Sequence, residues 1–396
     1  MKNMNKKRVL IRAPLLTISG YGVHSRQIFE WAIGREDFDV FVQPLQWGAT
    51  PWLLNPDDKS GLVGEAMKRV VDVKNVQPFD ITFQIQLPNE WDPSLGKFNF
   101  GVTAAVETDI CSKEWIQACN KMDAIIVPSN HAKSVLTNSG ENLVKPIFVV
   151  PESYHTSIDN NNSSLDNLNL DFKTDFNFLV FGQITGNNPE NDRKNLFYAI
   201  KWICEEFKDR NDVGLVVKTN SGRSTKIDKA MTTRLFQNLL TQVRGKNLNP
   251  KVYLMHGNMT EDEVSLLYKH PKIKALVSLT RGEGFGLPLL EAAASSLPVI
   301  ATGWSGHTDF LNKGKYISID AKIKPIHKSR VDNKIFVQDA KWAEVDEAEV
   351  KSKLRKFYEK PSMPQQWAKD LSEVIKTDYS ITSIKKHLDN VMSQTK

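Results

Sequence analysis

Short apolar runs alternate with helix-like stretches along this 396-residue chain, and they fall into two sets. The first set is RVLIRAP, DVFVQPL, FDITFQIQL, FNFGVTAAV, AIIVPS and IFVVP; the second is FNFLVFGQ, GLVVKTN, KVYLMHG, IKALVSL and LPVIATG. Between them lie amphipathic stretches such as VHSRQIFEWAIG, SKEWIQACNKM, NHAKSVLTNSG, KNLFYAIKWICEEF and EDEVSLLYKH. Near-continuous apolar runs suit strands buried on both faces, and strands alternating with helices build parallel sheets. The chain therefore reads as two α/β domains. An Asn-, Ser- and Asp-rich stretch between the sets reads as a linker, placed at 156–172 after a first domain of 1–155. Beyond about residue 340 the sequence turns charged and helical (AEVDEAEVKSKLRKFYEK, then MPQQWAKDLSEVIK), and no internal repeat is evident.

Composition narrows the classes. The length suits two or three domains, and a hydrophobic content of 40 % permits sizeable cores. No apolar run reaches the roughly 18 residues of a membrane span, and the basic start MKNMNKKRVLIRAP lacks the apolar core of a signal peptide. Cys111, Cys119 and Cys204 form no CxxC pair and no disulfide framework. A cytoplasmic protein with buried cysteines is expected. The net charge of +6 suits an acidic partner, whether nucleotide diphosphate, lipid surface or nucleic acid, and equally a plain soluble surface.

The densest chemistry lies in SLTRGEGFGLPLLEAAASSLPVIATGWSGHTDFL. An apolar run ends at Ser278–Thr280, a glycine loop follows, and Pro288 fits the first turn of a helix. Such a loop lets backbone N–H groups approach a ligand, and the helix start favours an anion. Glu283 sits in the loop, able to accept hydrogen bonds from sugar hydroxyls. Glu291, seven intervening residues on, is placed in the first helical turn, where the dipole tolerates a carboxylate. No DxD stands at a strand end and no His/Cys set has zinc spacing, so no metal is expected.

These residues carry the E-x7-E pattern of retaining glycosyltransferases with the GT-B fold, and the chain resembles glycosyltransferase family 4. The resemblance implies two Rossmann-like domains with an inter-domain cleft. The second domain would span 173–375, and a C-terminal helix, 376–396, would cross back onto the first. Glu283 and the Gly284–Phe285–Gly286–Leu287 backbone would hold the donor sugar, and Glu291 the ribose. A nucleotide diphosphate sugar, UDP-sugar favoured, would be a co-substrate, with no separate cofactor.

In the family, a G-R after the first strand of the second domain and a Lys further on hold the diphosphate. Here Gly182 is followed by Gln183, and Arg193 and Lys194 stand near the lysine position. Cations there suit a dianionic leaving group without a metal; alternatively the loop is solvated and Asn191 or Asp192 caps the next helix. Lys218, ending GLVVKTN, faces the same ligand edge or forms a structural salt bridge. HGNMTEDEVSLLY occupies the place of the base-binding segment, which leaves the base unread.

On the acceptor side, Ser19, Gly20, Tyr21 and Gly22 open a helix, and the glycines permit close approach to phosphates and acceptor. Tyr21 suits packing more than ligation, and His24 a surface or cap position. Where many members carry a His, this chain has Glu107, Thr108 and Asp109. Glu107 reads equally as a group facing an acceptor hydroxyl and as a helix-start acid beside a Thr108 or Asp109 cap. Ser129 and Asn130 end a strand, and His131 reads as helical surface. Trp47, Trp52 and Trp91 lie in loops, as sugar-stacking or anchoring residues.

Three functions follow: transfer to a saccharide or lipid-linked glycan, transfer to 5-hydroxymethylpyrimidines in DNA, and nucleotide-sugar binding without turnover. A lipid acceptor would call for an exposed apolar–basic helix, and none is evident. The oligomeric state is not readable.

Overall fold

The computed structural model describes residues 6–395, except 77, 161–164, 169, 186, 187, 221, 223 and 246. Part of the expected linker, 161–164 and 169, thus lies outside the described residues. The chain divides into two compact units, residues 1–153 with 381–396, and residues 154–380.

The first unit is built from β1 (Lys7–Ala13), α1 (Gly20–Ile33), β2 (Phe38–Pro44), α2 (Leu62–Met67), α3 (Val73–Val76), β3 (Phe79–Ile85), β4 (Gly96–Val102), α4 (Lys113–Cys119), β5 (Ala124–Val127), α5 (Asn130–Asn138) and β6 (Ile147–Val149). Its six strands pair in the order β2-β1-β3-β4-β5-β6, all parallel. Val9, Ile11, Phe83, Phe100 and Ile126 are fully buried, because helices cover both faces of a parallel sheet. Ser19 starts α1 by accepting the Gly22 amide at 2.9 Å, and Ser129 starts α5 by accepting that of Ala132 at 3.0 Å.

The second unit contains β7 (Phe176–Phe181), α6 (Leu196–Glu206), β8 (Val213–Thr219), α7 (Lys226–Arg244), β9 (Lys251–His256), α8 (Glu261–Lys269), β10 (Ile273–Ser278), α9 (Leu287–Ala294), β11 (Val299–Thr302), α10 (Thr308–Leu311), β12 (Ile317–Ile319), β13 (Ala321–Pro325), β14 (Lys341–Val345), α11 (Glu347–Glu359) and α12 (Ser362–Asp378). Six strands form a second parallel sheet, β12-β11-β10-β7-β8-β9, and β13 pairs antiparallel with β14. Capping boxes start α7 (Thr225 with Asp228) and α8 (Thr260 with Glu263). Residues 341–345, expected as part of a helix, form a strand instead. Trp342 and Ala343 are buried there, and Asp346 caps a helix that starts only at Glu347.

The last helix, α13 (Ile381–Gln394), belongs to the first unit. Ile384, Leu388, Val391 and Met392 join that unit's core. Polar bonds fix the register against α1: Asp389 accepts from Trp31 Nε1 at 2.9 Å and from Arg35 at 2.6 Å, and Lys385 reaches Glu30 at 2.8 Å. The C-terminal helix is thus part of the first unit's fold. Leu388→Ala should destabilise that unit by about 2–4 kcal/mol, the usual cost of a buried leucine truncation. Urea unfolding followed by Trp31 fluorescence measures this, and an unchanged midpoint would mean that α13 contributes no core.

Candidate functional site

The second sheet has a topological switch point. From β7 the chain steps outward through β8 and β9, then returns to β10 on the other side and continues through β11 and β12. Ligands of open α/β sheets bind beyond the carboxyl ends of the strands at such a point. The loops after β7 and β10 flank it here. They carry Gly182 to Asn195 and Leu279 to Gly286.

Glu283 is the hub, only 7 % exposed. Lys194 Nζ donates to its Oε1 at 2.6 Å, and Arg193 Nη1 lies 3.4 Å from Oε2. Burial alone would raise the carboxyl pKa. The charges of Lys194 and Arg193 and the Lys194 hydrogen bond outweigh it and hold Glu283 at about 2. The carboxylate is therefore ionised at any working pH.

The loop after β11 clasps the glycine loop. Glu283 N–H donates to Ser305 Oγ at 2.9 Å, and Gly306 N–H to Glu283 O at 2.9 Å. His307 Nε2 meets Thr302 O at 2.7 Å, so that nitrogen carries the proton and Nδ1, 3.4 Å from Ser305 Oγ, accepts. Burial keeps His307 below its usual pKa, in keeping with a neutral ring. Gly306 is required by packing, since a Cβ there would stand 2.2 Å from Gly284 O. Gly286, at φ +105°, turns the chain into α9. Phe285 is buried against Phe310 and Tyr379, so its side chain serves the core and only backbone is left for a ligand.

The cation loop is anchored just as firmly. Asp192 Oδ2 accepts the first amide of α6, from Leu196 at 2.8 Å, and Oδ1 accepts from Thr185 N and Oγ1 at 2.9 Å. Asn191 instead shares a capping box with Asn188 in the turn Pro189–Asn191. Gly182 lies along the Lys194 stem, where a Cβ would be 3.8 Å from Cγ and Cδ. Gln183 is exposed.

Glu291 requires a correction. It is the fifth residue of α9, in the second turn, because the left-handed Gly286 starts the helix at Leu287. Two side chains stand beside it. The Tyr268 hydroxyl donates to Oε2 at 3.3 Å, and His155 Nε2 lies 4.0 Å from Oε1. Burial and the Glu291 charge together raise the Tyr268 pKa, so the phenol stays a donor. Lys218 is buried and donates to the Gly257 carbonyl, above the Phe181 ring. Among the described residues this carbonyl, and no carboxylate, is its hydrogen-bond partner, and burial lowers its pKa to about 8.

The first unit has its own switch point, between β1 and β3. Gly20 is open, with nothing within 4 Å of a Cβ position. Gly22 is not: a Cβ would meet Thr17 O at 2.2 Å, so this glycine serves the turn itself. The Tyr21 hydroxyl sits 3.0 Å from Thr103 Oγ1 and accepts the Ala104 amide at 3.0 Å, and its ring stacks on Trp47 at 4.0 Å. Tyr21 is a packing residue here.

His24, expected at the surface, is buried, and desolvation lowers its pKa to about 4. Glu107 lies half-buried in the β4–α4 loop and does not start a helix; Ser112 caps α4, and Thr108 bonds to Ile110 O. Trp91 anchors its loop against Gly101, and Trp52 is partly exposed beside Thr17. Asn130 is exposed and His131 half-buried.

Residues 192–329 match the family model described as glycosyl transferases group 1. This segment is a glycosyl transferase group 1 domain. The structure is similar to sucrose-phosphate synthase from Thermosynechococcus elongatus (TM-score 0.65, 13 % identity, covering 98 % of this chain and 99 % of that one). It is also similar to a glycosyltransferase from Rickettsia africae (0.63, 13 %, 99 % and 99 %) and to Anabaena HepE in complex with UDP and glucose (0.62, 11 %, 98 % and 99 %). These likenesses show the fold, which is GT-B. No curated protein sequence matches the chain significantly. No helix among the described residues is long and apolar enough to cross a membrane.

The group 1 domain contains Arg193, Lys194, Glu283 and Glu291, which the structure gathers on the loops after β7 and β10 and on α9. Sequence reasoning passed over Arg281, Ser305 and His307, although all three stand in the quoted glycine-rich string, and also over Tyr268 and His155.

The Glu283 pair sets a pH dependence. The folded pKa lies below the unfolded one, so the ionised carboxylate favours the folded state. Its contribution is complete above about pH 5 and is lost as pH falls from 4.5 towards 2. It amounts to something on the order of 3 kcal/mol. The stability gap between wild type and Glu283→Gln, measured by urea unfolding, should narrow by that order between pH 6 and pH 2. Parallel curves would show that folding leaves the Glu283 pKa unshifted.

Proposed function

We propose that the chain is a retaining glycosyltransferase of the family 4 type. It takes a sugar from a nucleotide diphosphate donor, UDP-sugar favoured, and passes it to a hydroxyl of a saccharide or glycan. The observation that carries this reading is the ionised Glu283 beside Lys194 and Arg193 at the switch point of the second sheet. The group 1 match over these residues supports it, and the UDP bound in Anabaena HepE favours the base.

In the transfer, the bond from the sugar's C1 to the β-phosphate oxygen breaks, and the acceptor oxygen bonds to C1. The acceptor proton passes to the departing phosphate on the same face. Glu283, at about pKa 2, is neither acid nor base near neutrality, so it serves as an acceptor for sugar hydroxyls. Lys194 and Arg193 supply charge to the leaving diphosphate without a metal. Glu291 holds the ribose, and Lys218 lies two strands from β10, towards the base. Glu107, Gly20 and the Ser19–Gly22 turn form the acceptor side.

The test incubates the protein with pooled UDP-sugars and oligosaccharide acceptors, and weighs released UDP and the product by mass spectrometry. Lys194→Ala should lower turnover by about 10²–10³-fold, as for loss of one charge stabiliser. Undiminished turnover in Glu283→Gln would sink its role, and an inverted anomer by NMR would sink retention.

A further inference from the structure

Among the described residues of the second unit, Arg281 is the most deeply buried charge, with a side chain 0 % exposed. Its guanidinium uses Nε and Nη2 on Glu344, at 2.6 and 3.2 Å. Nη1 donates to the carbonyls of Pro189 and Asp192, both at 2.7 Å. Its backbone amide donates to Arg193 O at 2.8 Å, and its own carbonyl accepts from Ala343 N at 2.9 Å. One residue thus grips the two consecutive carbonyls immediately before Lys194, those of Asp192 and Arg193, and ties them to β14. The guanidinium also lies over the Trp342 ring, 5.3 Å from its centroid.

The connection between β13 and β14 grips the same loop further back. Ser329 Oγ is met by Asn188 Nδ2 at 3.3 Å and Asn191 Nδ2 at 3.0 Å. Arg330 Nη1 donates to Thr185 O at 3.1 Å. The loop is therefore held at 185, 188, 189, 191, 192 and 193 by Arg281 and the 321–345 hairpin. Trp342 and Glu344 lie beyond the segment that matches the group 1 model.

Arg281 is buried while its partner Glu344 is 26 % exposed, and desolvating such a guanidinium offsets much of what the pair contributes, so stability alone does not account for it. What Arg offers is a rigid fork of donors that fixes several acceptors in one geometry. We propose that Arg281, braced by Glu344 and the β13–β14 hairpin, is a positioning residue that sets Arg193 and Lys194 for the donor diphosphate. The proposal rests on the donor reading given above. It gives Arg281 no contact with substrate.

The test uses the full chain with Glu344→Gln, a near-isosteric change that halves the brace, and Arg281→Lys, which keeps the charge but loses the fork. Thermal unfolding identifies which variant is folded. Titration calorimetry compares UDP with uridine as probes. In a folded variant, UDP affinity should fall about tenfold with uridine affinity unchanged, the equivalent of one charge-assisted contact to phosphate. A merely structural role would lower both together or neither, and either result overturns the proposal.

Hydrogen exchange of the 185–194 segment provides a readout independent of nucleotide. Faster exchange in Glu344→Gln supports the brace, and unchanged exchange overturns it. If wild type binds UDP no more tightly than uridine, the donor reading fails, while faster exchange would still show that the hairpin holds the loop.

Discussion

The second unit is organised around a carboxylate that cannot be buried alone. Transferring an isolated ionised carboxylate out of water costs several kcal/mol, and a nearby pair of cations offsets that cost. Glu283 meets the condition through Lys194 and Arg193, and this ties together the ends of two non-sequential strands. The loop after β11 completes the arrangement by accepting the Glu283 amide on Ser305 and giving it the Gly306 amide. Three loops at a switch point are thus mutually dependent, and a change in one is felt by the carboxylate. The glycines follow from that closeness. Gly306 packs on Gly284, and Gly286 turns the chain into α9.

Much of the fold was legible because strands in parallel sheets are apolar on both faces. All eleven apolar runs became strands, and the helices between them formed close to the expected positions. The strands that escaped are short or exposed. β12 has three residues, and β13 reads AKIKP with every residue after its first exposed. β14 was masked by charge, since KWAEV buries Trp342 and Ala343 but flanks them with Lys341 and Glu344. That masking hid the hairpin and with it the partner of Arg281.

The site was legible where local chemistry sufficed and illegible where tertiary packing decided. Glu283 stood out by its glycine loop and helix start, whereas Lys194 and Arg193 were placed by the resemblance to family 4, to which the charge of a diphosphate leaving group added a chemical reason. The helix boundary that moves Glu291 into a second turn depends on the left-handed Gly286, and its neighbours Tyr268 and His155 come from distant segments. His24 was misplaced because its helix is buried on most sides, a property of the packing and not of the local sequence. Gly20 and Gly22 look equivalent in sequence, yet one is open and the other is filled by Thr17.

The protonation states constrain the proposed chemistry further. Glu283 is held ionised, and His307 has committed its Nε2 proton to Thr302 and its Nδ1 to Ser305. Lys218, lowered to about 8 by burial, is bound to the Gly257 carbonyl. Glu283 and His307, the titratable groups beside Lys194 on these loops, are thus both committed, and neither is poised as a base. Such a site suits a reaction in which the leaving group itself collects the proton as its negative charge develops. In the proposed transfer the protein's contribution is then to place that leaving group, and Lys194 would share its bond to Glu283 with the diphosphate. A cation shared between a fixed carboxylate and an incoming phosphate must stand within hydrogen-bonding distance of both. The anchoring of residues 188–194 is therefore part of the same electrostatic arrangement that keeps Glu283 ionised.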